Sequence, residues 1–181
     1  MPSPVGHALG GLTAAFVLNA CARRPSLTPP LLAAAALIAV VPDLDLLAGS
    51  HRTYSHSLGA VAIVFVVCWL ALRLRDSSLA AATALTAAYA SHIALDWLSK
   101  DTSHPAGLTA LWPFTATYYQ SGLNLFGEIS RRYWLPEEFI FGNLRAAGWE
   151  ILLVGPCLLA AWVYWSKKTL KSNEKRTTKT V

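Results

Sequence analysis

A chain of 181 residues that is 54% hydrophobic and only 14% charged carries roughly half the charged share of an average soluble domain, about 25%. With a mean hydropathy of +0.41 and a net charge of +5, it reads as one membrane-embedded domain, the alternative being a soluble all-helical protein with unusually apolar core helices. Its three cysteines, Cys21, Cys68 and Cys157, lie in or beside apolar segments without a Cys-x-x-Cys spacing, which argues against both a disulfide framework and a thiolate metal site.

Five apolar segments follow one another along the chain. The first, Gly6 to Ala22, starts after Ser3-Pro4, a cap and first-turn proline. No Lys or Arg precedes it, and His7, Gly10 and Gly11 lie inside it, so it reads as a structural helix and not as a signal peptide. Pro25 to Pro30 separates it from the second, Leu31 to Ala48. The third, Leu58 to Leu74, and the fourth, Leu79 to Leu98, are divided by Arg75-Asp76-Ser77-Ser78. The stretch from Ser99 to Gly148 mixes Pro, Gly, aromatic and charged residues and reads as a partly helical region on the membrane surface. Its Trp112, Tyr118, Tyr119, Tyr133 and Trp134 suit an interfacial belt. The fifth segment, Ile151 to Trp165, leads into a basic stretch from Lys167 that is expected to be disordered. Each segment has about 15 to 20 residues and spans roughly 22 to 30 Å as helix, against a hydrocarbon core of about 30 Å. The expected fold is therefore all-α, a multi-pass membrane helical bundle of about five spanning helices. Residues 1–166 form the single domain, with 99–148 at the interface, and 167–181 form the tail.

Positively charged loops stay in the cytoplasm. Arg23 and Arg24, Arg73 and Arg75, and Lys167, Lys168, Lys171, Lys175, Arg176 and Lys179 follow the first, third and fifth segments, so one face carries them all. That face is expected to be cytoplasmic, with the N-terminus, the loop 49–57 and the region 99–148 outside the cell's inner membrane. On the same map His7, Asp43, Asp45, His51, Arg52, His56, His92, Asp96, His104 and Glu150 all fall at the outer end. Hydrophobicity alone does not require such a gathering.

His92 and Asp96 are four apart on a predicted helix and project from one face. Asp43 and Asp45 follow Pro42, which breaks the helical ladder and lets both carboxylates turn toward a common point. A carboxylate in or beside hydrocarbon costs at least about 2.5 kcal/mol and needs a partner. Mixed imidazole and carboxylate ligands suit divalent zinc, manganese or iron. His7, Asp43, Asp45, His51, His56, His92 and Asp96 are the candidate ligands, enough for one or two ions sharing a bridging carboxylate. Such an ion generates a nucleophilic water near neutral pH, which is hydrolytic chemistry. Asp43, Arg52 and Glu150 are the candidate catalytic residues. Arg52 could hold a phosphate in bidentate fashion or merely pair with Asp43 or Asp45. Glu150 is open between ligand, base and a solvated acid at a helix N-terminus, and His104 is equally open.

At these residues the chain resembles a family. Gly6-His7, Pro42-Asp43-Leu44-Asp45, the run from His51 to Leu58, Ser91 to Trp97 and Leu111 to Phe114 look like the YdjM-type inner-membrane proteins classed as metal-dependent hydrolases. The resemblance covers roughly Pro4 to Phe114 and implies a membrane-bound hydrolase. More distantly, His-x-x-x-Asp followed by a further His is similar to the all-helical zinc phospholipases C and single-strand nucleases. Their pattern continues with His-x-x-x-Glu, where this chain has Ala146 to Glu150 without the His. Together these features predict metal-activated hydrolysis of a phosphoester in a lipid or lipid-linked substrate. A metal-free membrane phosphatase with a histidine nucleophile is a second reading, although its Pro-Ser-Gly-His and Lys-to-Arg-Pro signatures are missing. A non-catalytic metal-binding protein that transports, senses or scaffolds is a third. Nucleic acid is not an expected partner, because the basic tail suits lipid headgroups on the inner leaflet.

Overall fold

The computed structural model describes residues 1–22, 27–49, 52–74, 78–102 and 104–177. Its regular elements are helices: α1 (Pro4–Ala20), α2 (Pro29–Ile38), α3 (Leu58–Leu72), α4 (Ser78–Leu98) and α5 (Asn143–Thr177). Short 3-10 segments occupy Val41–Ala48 and Tyr54–His56, and a π-helical turn, Glu138–Gly142, leads into α5. Between α4 and that turn the chain is irregular, with isolated bridges Ser99 to Phe126 and Leu108 to Tyr119. All five apolar segments are thus helical. The second one, however, is not a continuous rod.

α2 and the 3-10 segment after it meet at a bend of 41°. Pro42 has no N–H to donate, and the Asp43 amide bonds to the Val40 carbonyl at 3.2 Å, in the tighter 3-10 pattern. The Ala39 carbonyl is left without its usual helical donor and becomes available to a side chain. Gly49, in the left-handed region at φ 72°, ends the segment.

α4 packs against α1, α2 and α3, and α5 lies along α1. The interior is built of small residues: Ala15, Ala35, Ala39, Ala82, Ala84 and Ala88, with Cys68 and Leu85. A Cβ added at Gly11 would stand 2.4 Å from the Ala39 Cβ, so glycine there sets how closely α1 meets α2. Bulky apolar side chains face outward instead, Ile63, Val66 and Val67 on α3 and Ile151, Leu152 and Leu159 on α5 among them. Small residues inside and large ones outside is the packing of helices that associate in lipid.

Glu138–Asn173, 36 residues with an 18-residue stretch of mean hydropathy 1.7, is long and apolar enough to cross a membrane, and corresponds to about 54 Å of helix. The helix therefore begins well before Ile151, and Glu150 lies within it, not at its start. The basic segment from Lys167 also differs from expectation. It continues α5 as far as Thr177, since adding residues to an existing helix is far cheaper than nucleating one. Of the expected aromatic belt, Tyr133 and Trp134 are exposed, whereas Trp112 packs against Gly59 and edge-on to Tyr54.

Candidate metal centre

Five side chains converge at the end of the bundle where α1 begins and α4 ends. Ser3 caps α1 by accepting from the Gly6 amide, which places His7 in the first turns, fully buried. The 3-10 segment brings in Asp43, and α4 brings in His92 and Asp96 one turn apart. His56 ends the short 3-10 turn before α3, held by Ser57, whose hydroxyl caps α3 at the Ala60 amide and donates to the Tyr54 carbonyl. His7, Asp43, His92 and Asp96 each offer a ligand atom within 4.8 Å of all the others. His56 Nε2 lies 3.0 Å from His92 Nε2.

The two carboxylates divide their oxygens between two sets of imidazoles. Asp96 Oδ1 is 3.5 Å from His7 Nε2, while Oδ2 is 3.3 Å from His56 and 3.4 Å from His92. Asp43 repeats the pattern: Oδ2 is 3.9 Å from His7, and Oδ1 is 3.9 Å from His56 and 3.6 Å from His92. For metal–ligand bonds of about 2.0 to 2.1 Å, tetrahedral geometry separates neighbouring ligand atoms by roughly 3.3 to 3.4 Å. The observed separations bracket that value. One position lies between His7 and one oxygen of each aspartate, and a second lies between the His56–His92 pair and the other oxygens.

Proton placement supports a cation here. His92 Nδ1 meets the freed Ala39 carbonyl at 2.7 Å, so it carries the hydrogen and Nε2 presents a lone pair. His56 Nδ1 lies 3.1 Å from Asp45 Oδ2, which likewise turns a lone pair inward. Two facing lone pairs with carboxylate oxygens around them repel unless a proton or metal ion sits between them. Asp43 Oδ1 and both oxygens of Asp96, with both nitrogens of His7, are buried without a hydrogen-bond partner among the described residues. Each such group costs about 1 to 3 kcal/mol when left unsatisfied. Burial alone lowers the His56 pKa, but the carboxylates of Asp45 and Asp96 overcome it and hold this loop histidine up to about 9. The surroundings are acidic enough to stabilise positive charge.

Asp45 stands behind the cluster. Its Oδ2 accepts from the Arg52 amide at 3.0 Å and the Ser55 hydroxyl at 2.6 Å, besides facing His56. Carboxylate-to-histidine contacts of this kind orient a ligand and raise its basicity. Arg52 adopts a left-handed backbone, φ 64°, which turns its amide onto Asp45. Among the described residues its guanidinium pairs with Asp101 rather than with Asp43 or Asp45. Glu150 is buried and takes the Ser3 amide at 2.7 Å and the Ser3 hydroxyl. It anchors the start of α1 against α5 and does not reach the cluster, because the helix carries it to Gly6 instead. His104 is exposed in the loop. His51 lies outside the described residues. Asp101, Ser55, Tyr89, whose hydroxyl holds the Ser55 carbonyl at 2.6 Å, and the Ala39 carbonyl complete the surroundings. No spacing in the sequence points to them.

Residues 1–170 match the model of the YdjM inner membrane protein family. The chain belongs to the YdjM inner membrane protein family. Neither a curated protein nor a solved structure matches it. The family assignment covers nearly the whole chain and fits the helix Glu138–Asn173 as a membrane span. The four-residue group His7, Asp43, His92 and Asp96 is a possible metal-binding cluster of this YdjM protein.

Proposed function

We propose that this YdjM protein is a multi-pass inner-membrane hydrolase that uses two divalent ions, zinc by preference, to cleave a phosphoester in a lipid or lipid-linked substrate. The observation that carries the proposal is the division of both Asp43 and Asp96 between His7 on one side and the His56–His92 pair on the other. Two carboxylates buried this deeply need a positive counter-charge, which divalent ions supply while leaving the imidazoles neutral as ligands. Paired divalent ions lower the pKa of water to near neutrality and stabilise the charge on a transferring phosphoryl group.

The chain's own residues divide the work. His7, His56, His92 and Asp96 are almost wholly enclosed, with side chains at most 1% exposed, while Asp43 is 11% exposed. Asp43 therefore marks the edge at which substrate and water arrive. In the proposed reaction water adds to phosphorus and the ester oxygen leaves. The proton lost by the water passes to the leaving oxygen at the solvent-exposed edge that Asp43 marks, with Asp43 orienting the water. Asp45 and the Ala39 carbonyl keep His56 and His92 in the tautomer that turns Nε2 inward. Arg52 is a cationic wall of the adjoining cavity.

Five spans, counting α2 with its 3-10 continuation as one, are supported by the outward-facing apolar side chains on α3 and α5. The distribution of Lys and Arg supports a cytoplasmic C-terminus and a site facing the opposite side. A test is release of phosphate or headgroup from a phosphatidic acid or phospholipid by the full chain in proteoliposomes. Activity should vanish with EDTA, return with zinc or manganese, and be lost in Asp96→Asn. Hydrolysis that survives complete metal removal would favour the histidine-nucleophile reading. Metal held tightly without any hydrolysis would favour a non-catalytic role.

A further inference from the structure

At the outer end of α5, a groove of about 740 Å³ runs beside Arg145, Trp149, Leu152 and Leu153. These four residues fall at i, i+4, i+7 and i+8, so they form one stripe on one helix face. Read toward the span, the stripe passes from guanidinium to indole to aliphatic side chains. Its far wall is the loop at Asn124 and Leu125, fixed to the helix by the Trp149 indole N–H, which donates to the Leu125 carbonyl at 3.0 Å. Gly127, Gly142 and Gly148 leave the groove open: a Cβ at any of them would meet nothing within 4 Å.

The groove adjoins a second space, a cavity of about 430 Å³ whose lining includes Arg52, Asp101, Arg131 and Arg132, and Glu128 forms part of both walls. Two of the cavity's acids are paired with cations, while the third, Glu128, is hydrogen-bonded by neutral donors and keeps its charge. Asp101 pairs with Arg52, Glu128 accepts from the Thr102 amide and hydroxyl, and Glu138 pairs with Arg132. Arg131 reaches only the Met1 sulfur at 2.8 Å, and among the described residues neither Arg131 nor Arg145 forms an ion pair with a carboxylate. Arg131 in the cavity and Arg145 in the groove are therefore two guanidinium groups without a carboxylate ion pair among the described residues, on either side of the wall at Glu128 that the two spaces share. Arg52, in the wall of this cavity, also holds Asp45 against His56 through its amide.

The geometry points to a binding site for one anionic phospholipid, its phosphate between Arg145 and Arg131 and its acyl chains along Trp149, Leu152 and Leu153. This deepens the hydrolase reading by naming where the substrate sits, and it rests on that reading only for the claim that the bound lipid is cleaved. An indole at the polar boundary with aliphatic residues deeper is the order an interfacial lipid requires. A phosphate bridging two guanidiniums gains charge-assisted hydrogen bonds that a zwitterionic headgroup reduces by its own internal charge.

The test uses the full chain in detergent with EDTA present, so that binding is read without turnover. Native mass spectrometry follows the occupancy of phosphatidic acid, phosphatidylcholine and glycerol 3-phosphate. Wild type should favour phosphatidic acid over phosphatidylcholine, and Arg145→Ala combined with Arg131→Ala should weaken phosphatidic acid about tenfold. Gly148→Leu, at a position where a Cβ meets nothing within 4 Å, projects into the groove and should weaken phosphatidic acid while leaving glycerol 3-phosphate unchanged. Because it replaces glycine in a helix, its thermal unfolding should be no lower than wild type. Equal binding of phosphatidic acid by wild type and both variants overturns the proposal. So does equal binding of phosphatidylcholine, or glycerol 3-phosphate binding as tightly as the lipid. Binding as expected but no hydrolysis after metal is restored upholds the lipid site and removes only the hydrolase reading. Hydrolysis with unaltered binding in the variants does the reverse.

Discussion

Asp96→Asn separates a metal centre from a buried polar network, because only the first predicts a gain in stability on adding zinc that the variant loses. Each Asp96 oxygen serves a different position, Oδ1 facing His7 and Oδ2 facing His56 and His92. The substitution therefore weakens both sites at once. Without metal the wild-type carboxylate still faces His56, which it helps to hold up to about 9, and the asparagine amide gives up that pairing. The EDTA-treated variant should then unfold below the wild-type temperature. With zinc at a hundredfold excess over Kd, one bound ion stabilises wild type by about 2.7 kcal/mol. For a chain of this length that corresponds to a rise of roughly 5 to 11 °C, at about 2 to 4 °C per kcal/mol. Asp96→Asn should show almost none of it. The assay is thermal unfolding in detergent, followed by tryptophan fluorescence with and without zinc. A variant that gains as much as wild type on adding zinc would refute the reasoning, and so would a wild type that gains nothing.

Three further outcomes follow from named contacts. Asp45→Asn keeps both positions but loses the carboxylate behind His56, so metal affinity measured by competition with a chromophoric chelator should fall about 10- to 100-fold. Glu150→Ala strips the Ser3 amide and hydroxyl of their acceptor; it should destabilise the fold by about 1.5 to 3 kcal/mol, seen as a lower unfolding temperature, with metal stoichiometry unchanged. Metal binding should also release protons: His56 is held up to about 9 by its acidic neighbours and must be neutral to act as a ligand. Apparent zinc affinity should therefore rise with pH between about 7 and 9, and a dye in weak buffer should report acidification on adding zinc.

The helices are readable from sequence because each is a long apolar run, and the histidines and aspartates within those runs stand out for the same reason. In the structure His7, Asp43, His92 and Asp96 gather in one group, with His56 against His92. The split between Asp43 and Asp45 is not readable in that way. A 3-10 turn has about three residues per turn, so side chains two apart diverge, one into the cluster and the other behind His56. Glu150 misleads because hydropathy starts the fifth segment at Ile151, while the helix begins at Asn143 and turns the acid onto Ser3, a residue at the far end of the sequence. Arg52 is similar: its partner Asp101 lies beyond two further helices. Contacts between distant residues are set by packing, which a single sequence does not display.

Diffraction from crystals of the full chain grown with zinc, collected at the zinc absorption edge, tests the central claim most directly. Two anomalous peaks are expected, one beside His7 and one between His56 and His92, each within about 2.0 to 2.2 Å of an oxygen of Asp43 and of Asp96. A single peak, or zinc held only by other residues, would contradict the assignment.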